Sequence, residues 1–585
     1  MRRKALAIAW RWASAAMAAT LVGFVSASAQ QPPPEAASGW TPKQAVHARR
    51  FMVAAANPLA VEAGHGILKA GGSAIDAAIA VQMVLNLVEP QSSGIGGGAF
   101  LLHHAASGKR LVTYDGRETA PAAARPERFL DAKGMPLKFH DAAVGGRSVG
   151  VPGVLAMLEL AHRRHGRLPW ASLFAPAIEI AERGFAISPR LAGALRRDAD
   201  LAKEPGTRAY FFHPEGRPRA AGEILKNPEF ALVLRRVAKE GARAFYEGEI
   251  ARDIVAAVRG HARNPGDLSE EDLAAYRPKT RLAVCGKYHR YRVCGMPPPS
   301  SGGIAVLQIL GLLERFELAQ LSPESLLATH LIAEAGRLAF ADRNRYVADP
   351  DFVPQVKGLT EPGYLLERSR LIALNASMGK ALPGIPPAAR KLALGEDEAP
   401  ELPATSHISV VDRQGNAVAM TTSIENGFGS RLMVHGFLLN NQLTDFSFRP
   451  SDGGFPVANR VEAGKRPRSS MAPTIVYDPA GRIKMVTGSP GGSAIINYVA
   501  KSLIGVLDWR LDAQAAIELP NVGSRNGPTE LERGTRATEL SEKLRALGHE
   551  VEITEFNSGL HSIVREGRHW VGGADPRREG RVHGG

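Results

Sequence analysis

A hydroxyl residue that opens a strand directly after a polar loop can carry nucleophilic chemistry if the chain is cut in front of it. Thr405 stands in that position within Pro403-Ala404-Thr405-Ser406-His407-Ile408-Ser409-Val410-Val411. The stretch from Thr405 onward alternates and is β-branched, and residues 395–403 before it read as an exposed, Pro-containing loop. A free N-terminal threonine holds a nucleophile and a base in one residue. Its α-amine, with a reference pKa of about 7.7–8.0, is partly unprotonated near neutral pH and can take the hydroxyl proton. Taken alone, the run reads more readily as a plain loop-to-strand junction.

Other polar clusters follow it. Ser423 ends the strand that pairs with the one opened by Thr405, which brings its hydroxyl within reach of the threonine side chain. Asn440-Asn441-Gln442-Leu443-Thr444-Asp445-Phe446 is a polar knot after an apolar strand, and Arg466-Pro467-Arg468-Ser469-Ser470-Met471 sets two hydroxyls after a basic loop. Gly488-Ser489-Pro490-Gly491-Gly492-Ser493 is a glycine turn opening a helix. Backbone N–H groups at such a turn suit an anion or a developing oxyanion. Each cluster by itself is ordinary turn or cap chemistry.

The elements that must position these groups can be read from periodicity. Residues 57–87 form a long helix or helix pair, and amphipathic helices are expected at 154–165, 171–184, 228–240, 248–259, 304–316 and 326–345. The segment 380–404, rich in Pro, Gly, Ala and acid, is the best internal linker. Strands follow at 405–411, 417–423, 437–440, 474–477 and 484–487, the first two joined by the turn Asp412-Arg413-Gln414-Gly415-Asn416, with helices at 493–508 and 537–547. This order suggests a sheet sandwich with helical outer layers. Gly94-Ile95-Gly96-Gly97-Gly98-Ala99 imitates a dinucleotide fingerprint, with Asp115 about twenty residues on. A helix precedes it where a strand is required and a hairpin follows it where a helix is required, so the glycines are read as sites of close backbone approach.

At 585 residues the chain exceeds one simple core, and its formal charge of +14 is scattered rather than set in an aromatic-interleaved basic run. A field that attracts small anions fits better than a nucleic-acid partner. Residues 1–29 read as a signal peptide: Arg2-Arg3-Lys4, an apolar core from Trp12 to Val25, and Ala27-Ser28-Ala29 as the cleavage site. An exported protein, periplasmic or secreted and without a retained membrane span, is expected. Cys285 and Cys294, the only cysteines, flank a hairpin turn at His289-Arg290; a disulfide and two free thiols both fit the spacing.

Together the motifs resemble the γ-glutamyltranspeptidase family of the N-terminal-nucleophile hydrolase superfamily, from about Ala45 to Gly580. The marks are Ala55-Ala56-Asn57-Pro58-Leu59-Ala60, the run Glu89 to Gly98, Tyr114-Asp115-Gly116-Arg117-Glu118, Pro297 to Gly303, Thr405-Ser406-His407, Ser469 to Thr474, Gly488 to Gly492 and Ala574 to Gly580. The resemblance implies an α+β fold, a four-layer αββα sandwich built from two chains of one cleaved precursor. The cut would fall between Ala404 and Thr405, giving a large subunit (30–404) and a small one (405–585) that stay together as a heterodimer. It further implies Thr405 as nucleophile, Ser423 as its supporting hydroxyl, and Gly491 and Gly492 as the oxyanion hole. No metal or organic cofactor is implied.

For a γ-glutamyl donor such as glutathione, the resemblance assigns Arg117, Ser469 and Ser470 to the α-carboxylate, and Gln442 and Asp445 to the α-ammonium. Glu425 stands where the family usually has Asn: it either accepts from the ammonium or, beside Asp445, favours another donor. Thr444 replaces a common Asp, and the loop from Asp445 to Ser469 is short for a full lid. The leading reading is a self-processing γ-glutamyl hydrolase and transferase, passing the acyl group to water or an amine. A glutaryl-type acylase is the alternative within the family, and an unprocessed binding protein the alternative outside it. His407 is read as packing, because the threonine amine already supplies a base.

Overall fold

The computed structural model describes residues 39–389, 392–397, 399, 401–402 and 404–585. The expected leader lies outside the described residues. The alternation after Thr405 becomes the strand Thr405–Val411, paired antiparallel with Ala417–Ser423 in a register that sets Thr405 opposite Ser423. Asp412 closes the turn between them, its Oδ1 accepting from the backbone N–H groups of Gln414 and Asn416, the Asx arrangement that makes such a turn.

This pair sits in the middle of a seven-stranded antiparallel sheet. Its spatial order is Arg581–Gly584, Met52–Ala55, Thr405–Val411, Ala417–Ser423, Gly98–Ala105, Arg110–Gly116 and Lys279–Arg281. A second seven-stranded sheet runs Val46–Ala48, His569–Ala574, His561–Glu566, Ile483–Gly488, Thr474–Tyr477, Tyr291–Gly295 and Val284–Tyr288. The sheets lie face to face, with Thr405–Val411 against His561–Glu566 and Ile483–Gly488. All seven residues of Thr405–Val411 are buried, as expected for a strand covered on both faces.

Helices form the outer layers. Pro58–Lys69, Ala74–Val88 and Val154–His165 cover the first sheet, and Gly302–Leu313, Ile495–Leu507 and Ala513–Glu518 cover the second. The result is the expected αββα sandwich. The expected pair at 57–87 is two helices joined at Ser73, whose side chain accepts from the Asp76 N–H while Asp76 returns to the Ser73 N–H, a capping box. Ala74–Val88 is buried along its whole length.

The glycine run lets strands approach closely, as expected. A Cβ at Gly96 would lie 2.1 Å from the Leu438 carbonyl oxygen, and one at Gly97 would lie 2.1 Å from that of Ser423. Cys285 and Cys294 face each other in register across their hairpin and are bonded, with Cα atoms 4.1 Å apart.

One expectation is corrected. The segment ending at Ala404 is not an exposed linker: Leu394, Gly395, Asp397, Glu401 and Ala404 are buried. Gly395 bridges to Val457, and Asp397 accepts from Asn459 Nδ2 at 2.8 Å. Asp397 and Glu401 read as solvated in sequence but are taken up by buried polar partners. The short loop after Asp445 lies against this same segment and carries a small hairpin of Ser451–Asp452 with Phe455–Pro456.

Candidate active site

Thr405 is 4 % exposed, and its Oγ1 donates to Ser423 Oγ at 3.3 Å. Ser423 Oγ donates in turn to the carbonyl oxygen of Ala404 at 2.7 Å and accepts from the Glu425 N–H at 2.9 Å. The hydroxyls of the two opposed strand ends thus converge on the peptide bond before Thr405. On the far side, Arg578 Nη1 donates to the Thr405 carbonyl at 3.2 Å, and Asn557 holds the same guanidinium through Nε. This fixes the carbonyls of both residues at the bond. Arg578 lies in a quoted motif, but nothing in its local pattern marks it as a partner of Thr405.

Gly491 and Gly492 sit at φ +134° and +57°, where L side chains are strained. A Cβ on Gly492 would meet the Glu401 carbonyl oxygen at 2.8 Å, so this turn packs directly under the segment that leads to Thr405. The helix Ile495–Leu507 follows.

Thr405, Ser423 and Gly492 line one narrow cavity together with Arg117, Gln442 and Asp445. Arg117 is fully buried and held on three sides: Nε donates to the Pro467 carbonyl at 3.1 Å, and Nη2 to the Arg468 carbonyl at 2.8 Å and Asp445 Oδ2 at 2.5 Å. Gln442 Nε2 donates to the same Asp445 oxygen at 2.7 Å. Burial pushes the Asp445 carboxyl up to about 6, against the pull of Arg117. Glu425 adopts φ +79°, accepts from the Leu402 N–H at 3.3 Å and from Asn441 Nδ2, and is pushed well above the usual carboxylate range by burial and then by Asp445. Beneath Arg117, burial raises the Glu118 carboxyl to about 8 although the guanidinium is 3.8 Å away.

The three residues expected at the donor's carboxylate, Arg117, Ser469 and Ser470, line this same cavity, with their polar atoms already engaged. Ser470 Oγ donates to Glu401, a residue of the segment before Thr405, and Ser469 Oγ accepts from the Met471 N–H at 3.1 Å. Glu401 also pairs with Arg343 and Arg468. Neither Glu401 nor Arg343 was singled out by local pattern, because an acid in a Pro-rich stretch and an arginine inside a helix both read as solvated. His407 is buried and neutral, its pKa driven well below the ordinary value by burial. Its ring nitrogens meet Thr421 Oγ1 at 2.8 Å and Ser409 Oγ at 3.0 Å, within the sheet interior rather than at the Thr405 hydroxyl.

The chain has relatives and structural neighbours over most of its length. The sequence model of the family described as Gamma-glutamyltranspeptidase matches residues 60–585. The glutathione hydrolase proenzyme of Bacillus subtilis (strain 168) is 37 % identical over 91 % of this chain and 91 % of its own. That of Escherichia coli (strain K12) is 36 % identical over 96 % and 97 %, and the acylase ACY 1 proenzyme of Pseudomonas sp. (strain SE83) is 35 % identical over 92 % and 94 %. Among solved structures, a cephalosporin acylase from Bacillus halodurans superposes with a TM-score of 0.81 at 29 % identity, covering 93 % of this chain and 97 % of its own. The γ-glutamyltranspeptidase of Helicobacter pylori gives 0.53 at 33 % identity over 60 % of this chain and 95 % of that one. A threonine at the mouth of an αββα sandwich, a glycine turn under it and a match running through nearly the whole sequence agree: the chain belongs to the γ-glutamyltranspeptidase family.

Proposed function

We propose that this chain cuts itself between Ala404 and Thr405 and then works as a γ-glutamyl hydrolase and transferase on glutathione-like donors. The observation that carries the reading is the hydroxyl chain from Thr405 through Ser423 to the Ala404 carbonyl. In the first step Thr405 Oγ attacks the Ala404 carbonyl carbon. The C–N bond breaks, an ester forms on Oγ, and water opens it to give the Ala404 carboxylate and a free Thr405 amine. The Ser423 hydroxyl, already on the carbonyl oxygen, stabilises the charge that grows there.

In turnover the new amine takes the Oγ proton, and Oγ attacks the γ-carbonyl of the donor. The backbone N–H groups of Gly491 and Gly492 hold the oxyanion, and the amine returns the proton to the leaving group. Water or an acceptor amine then takes the acyl group from Thr405. Asp445 and Gln442 supply acceptors for the donor's ammonium, with Glu425 beside them. The leader at residues 1–29 supports export, and no helix among the described residues is long and apolar enough to cross a membrane.

A second donor class is favoured by one observation. Burial, and then the neighbouring Asp445, push the Glu425 carboxyl well above the usual carboxylate range, which weakens its hold on an ammonium; a glutaryl donor, which lacks that amine, suits such a pocket. The test is intact mass for the cut before Thr405, followed by kcat/KM for γ-glutamyl and glutaryl anilides. A working ammonium cradle rejects the glutaryl analogue by up to roughly 10⁴-fold. Comparable rates, or a glutaryl preference, give the acylase reading instead, and an uncut inactive chain refutes both.

A further inference from the structure

The run 575–580 holds Thr405 through one residue and is itself held by the N-terminal arm. Arg578 presents its guanidinium to the Thr405 carbonyl, 3.2 Å away, and its own carbonyl to Lys43 Nζ. That ammonium donates to the Arg578 carbonyl at 2.8 Å and to the Gly580 carbonyl as well. The Thr41 N–H donates to the Pro576 carbonyl at 2.8 Å, and the Arg577 guanidinium lies 4.8 Å from the centre of the Trp40 ring. Val46–Ala48 continues the contact as a strand paired antiparallel with residues 570–572. Residues 40–48 are thus laid along 570–580, the stretch that carries Arg578.

The clamp meets Thr405 where the sheet does not. Met52–Ala55 pairs with residues 408–411 and goes no further, so Thr405, Ser406 and His407 have no strand on that edge among the described residues. The Thr405 carbonyl takes its donor from a side chain instead. Arg578 is buried, and Asn557 fixes its Nε through a backbone carbonyl at 3.1 Å and a side-chain oxygen at 2.5 Å. A guanidinium is a rigid planar fork, so the aim of Nη1 is set by Nε and by the backbone that carries the side chain. Lys43 holds that backbone. A cation taken from water needs acceptors, and the two carbonyls supply them; burial pulls the Lys43 ammonium down to about 8, while Asp575, Glu579 and Glu89 draw it back up. In the cut protein proposed above, Arg578, Asn557 and Thr405 belong to the later piece and Lys43 to the earlier one, so the tie crosses between pieces at the nucleophile.

We propose that Lys43 is a positioning residue for the nucleophile: it holds the Arg578 backbone, this sets the guanidinium on the Thr405 carbonyl, and the N-terminal arm thereby governs how the Thr405 hydroxyl is aimed. Misplacing a reacting group by about 1 Å can cost on the order of 10²-fold in rate. Lys43 is not among the residues lining the cavity, so it acts on the nucleophile and not on the donor. The inference rests on Thr405 as the nucleophile but not on the choice of donor.

The experiment follows the rate of chain cleavage in the full chain and, in the matured protein, kcat and KM for a γ-glutamyl anilide. Lys43→Met should slow cleavage and lower kcat by roughly 10- to 100-fold, the worth of a charge-assisted hydrogen bond, with KM little changed. Unchanged rates, or a loss carried by KM, overturn the proposal. Because the methionine variant can fold poorly, Lys43→Arg gives a second arm: it keeps the charge and the donors and should recover most of the rate, and a rate as low as that of methionine overturns the assignment. In an Arg578→Met background, Lys43→Met should cost nothing further, since the residue it acts through is gone; an equal further loss there means a general effect on stability and overturns the proposal. An uncut, inactive wild-type chain refutes the nucleophile reading and this inference with it, whereas a wild-type chain that cuts while Lys43→Met keeps pace refutes this inference alone.

Discussion

The hydroxyl of Ser423 lies 2.7 Å from the carbonyl oxygen of Ala404 while accepting the Thr405 hydroxyl at 3.3 Å. One side chain thus touches both the proposed electrophile and the proposed nucleophile. Ser423→Ala removes the donor at the developing oxyanion, a loss that typically costs on the order of 10²- to 10³-fold in rate. A time course of chain cleavage should slow by that order. A wild-type cleavage rate would assign the hydroxyl to packing.

Thr405→Ala should remain a single chain with no donor turnover, whereas Thr405→Ser should still cut, because it keeps the hydroxyl. Denaturing electrophoresis separates the outcomes. Cleavage of the alanine variant at the same bond would rule out the threonine as nucleophile.

That uncut variant also exposes the energetics of Glu401. A carboxyl whose pKa is held near 2 in the fold, below its ordinary value, adds stability that is complete above the ordinary range and fades as pH falls toward 2. Adding Glu401→Gln to Thr405→Ala should therefore destabilise the uncut chain by about 3 kcal/mol at pH 7, and by much less at pH 3. Denaturant midpoints at the two pH values measure it; a gap that does not narrow in acid contradicts the pairing.

Asp445 titrates in the working range. With its carboxyl near 6, it is protonated below that pH and cannot pair with an ammonium. The kcat/KM for a γ-glutamyl donor should fall as pH drops through an inflection at about 6. Asp445→Asn should lower kcat/KM and flatten that limb. An unchanged inflection in the variant would assign it to another group.

Gly492→Ala tests the turn beneath the cut. At φ +57° an alanine costs about 1–2 kcal/mol, and its Cβ would press on the Glu401 carbonyl from 2.8 Å. Slower cleavage with a lower melting temperature is expected. Normal values of both would mean that the turn is free to shift.

Much of this arrangement is legible in the sequence because it rests on short-range signals. The β-branched alternation from Thr405, the Asp412–Asn416 turn and the length of the two strands are enough to set Thr405 opposite Ser423, as found. The close approach at Gly96 and Gly97 follows from glycine type together with the wrong context for a nucleotide. What is not legible depends on long-range burial. Glu401 meets an arginine 58 residues before it and another 67 after it, and no local period reports such a pairing. The segment 395–404 has the composition of a solvated loop; only tertiary partners turn Asp397 and Glu401 inward. Arg117 was matched to a substrate carboxylate, and it is Asp445, 328 residues away, that occupies it here.

The order of strands in the first sheet has a consequence for how such an enzyme comes into being. Thr405–Val411 is hydrogen-bonded to Met52–Ala55 on one side, and that strand is in turn bonded to Arg581–Gly584, so pieces from before and after the cut alternate edge by edge. The earlier piece made alone would leave Met52–Ala55 without either neighbour, and the later one would leave Thr405–Val411 open on one side; unpaired edges invite aggregation. The hydroxyls of Thr405 and Ser423 meet within one hairpin, which the interleaved sheet holds from both sides. On the self-cleavage proposed above, a chain whose sheets fail to interleave is expected to stay in one piece and inert, so that scission would certify assembly before any substrate is touched.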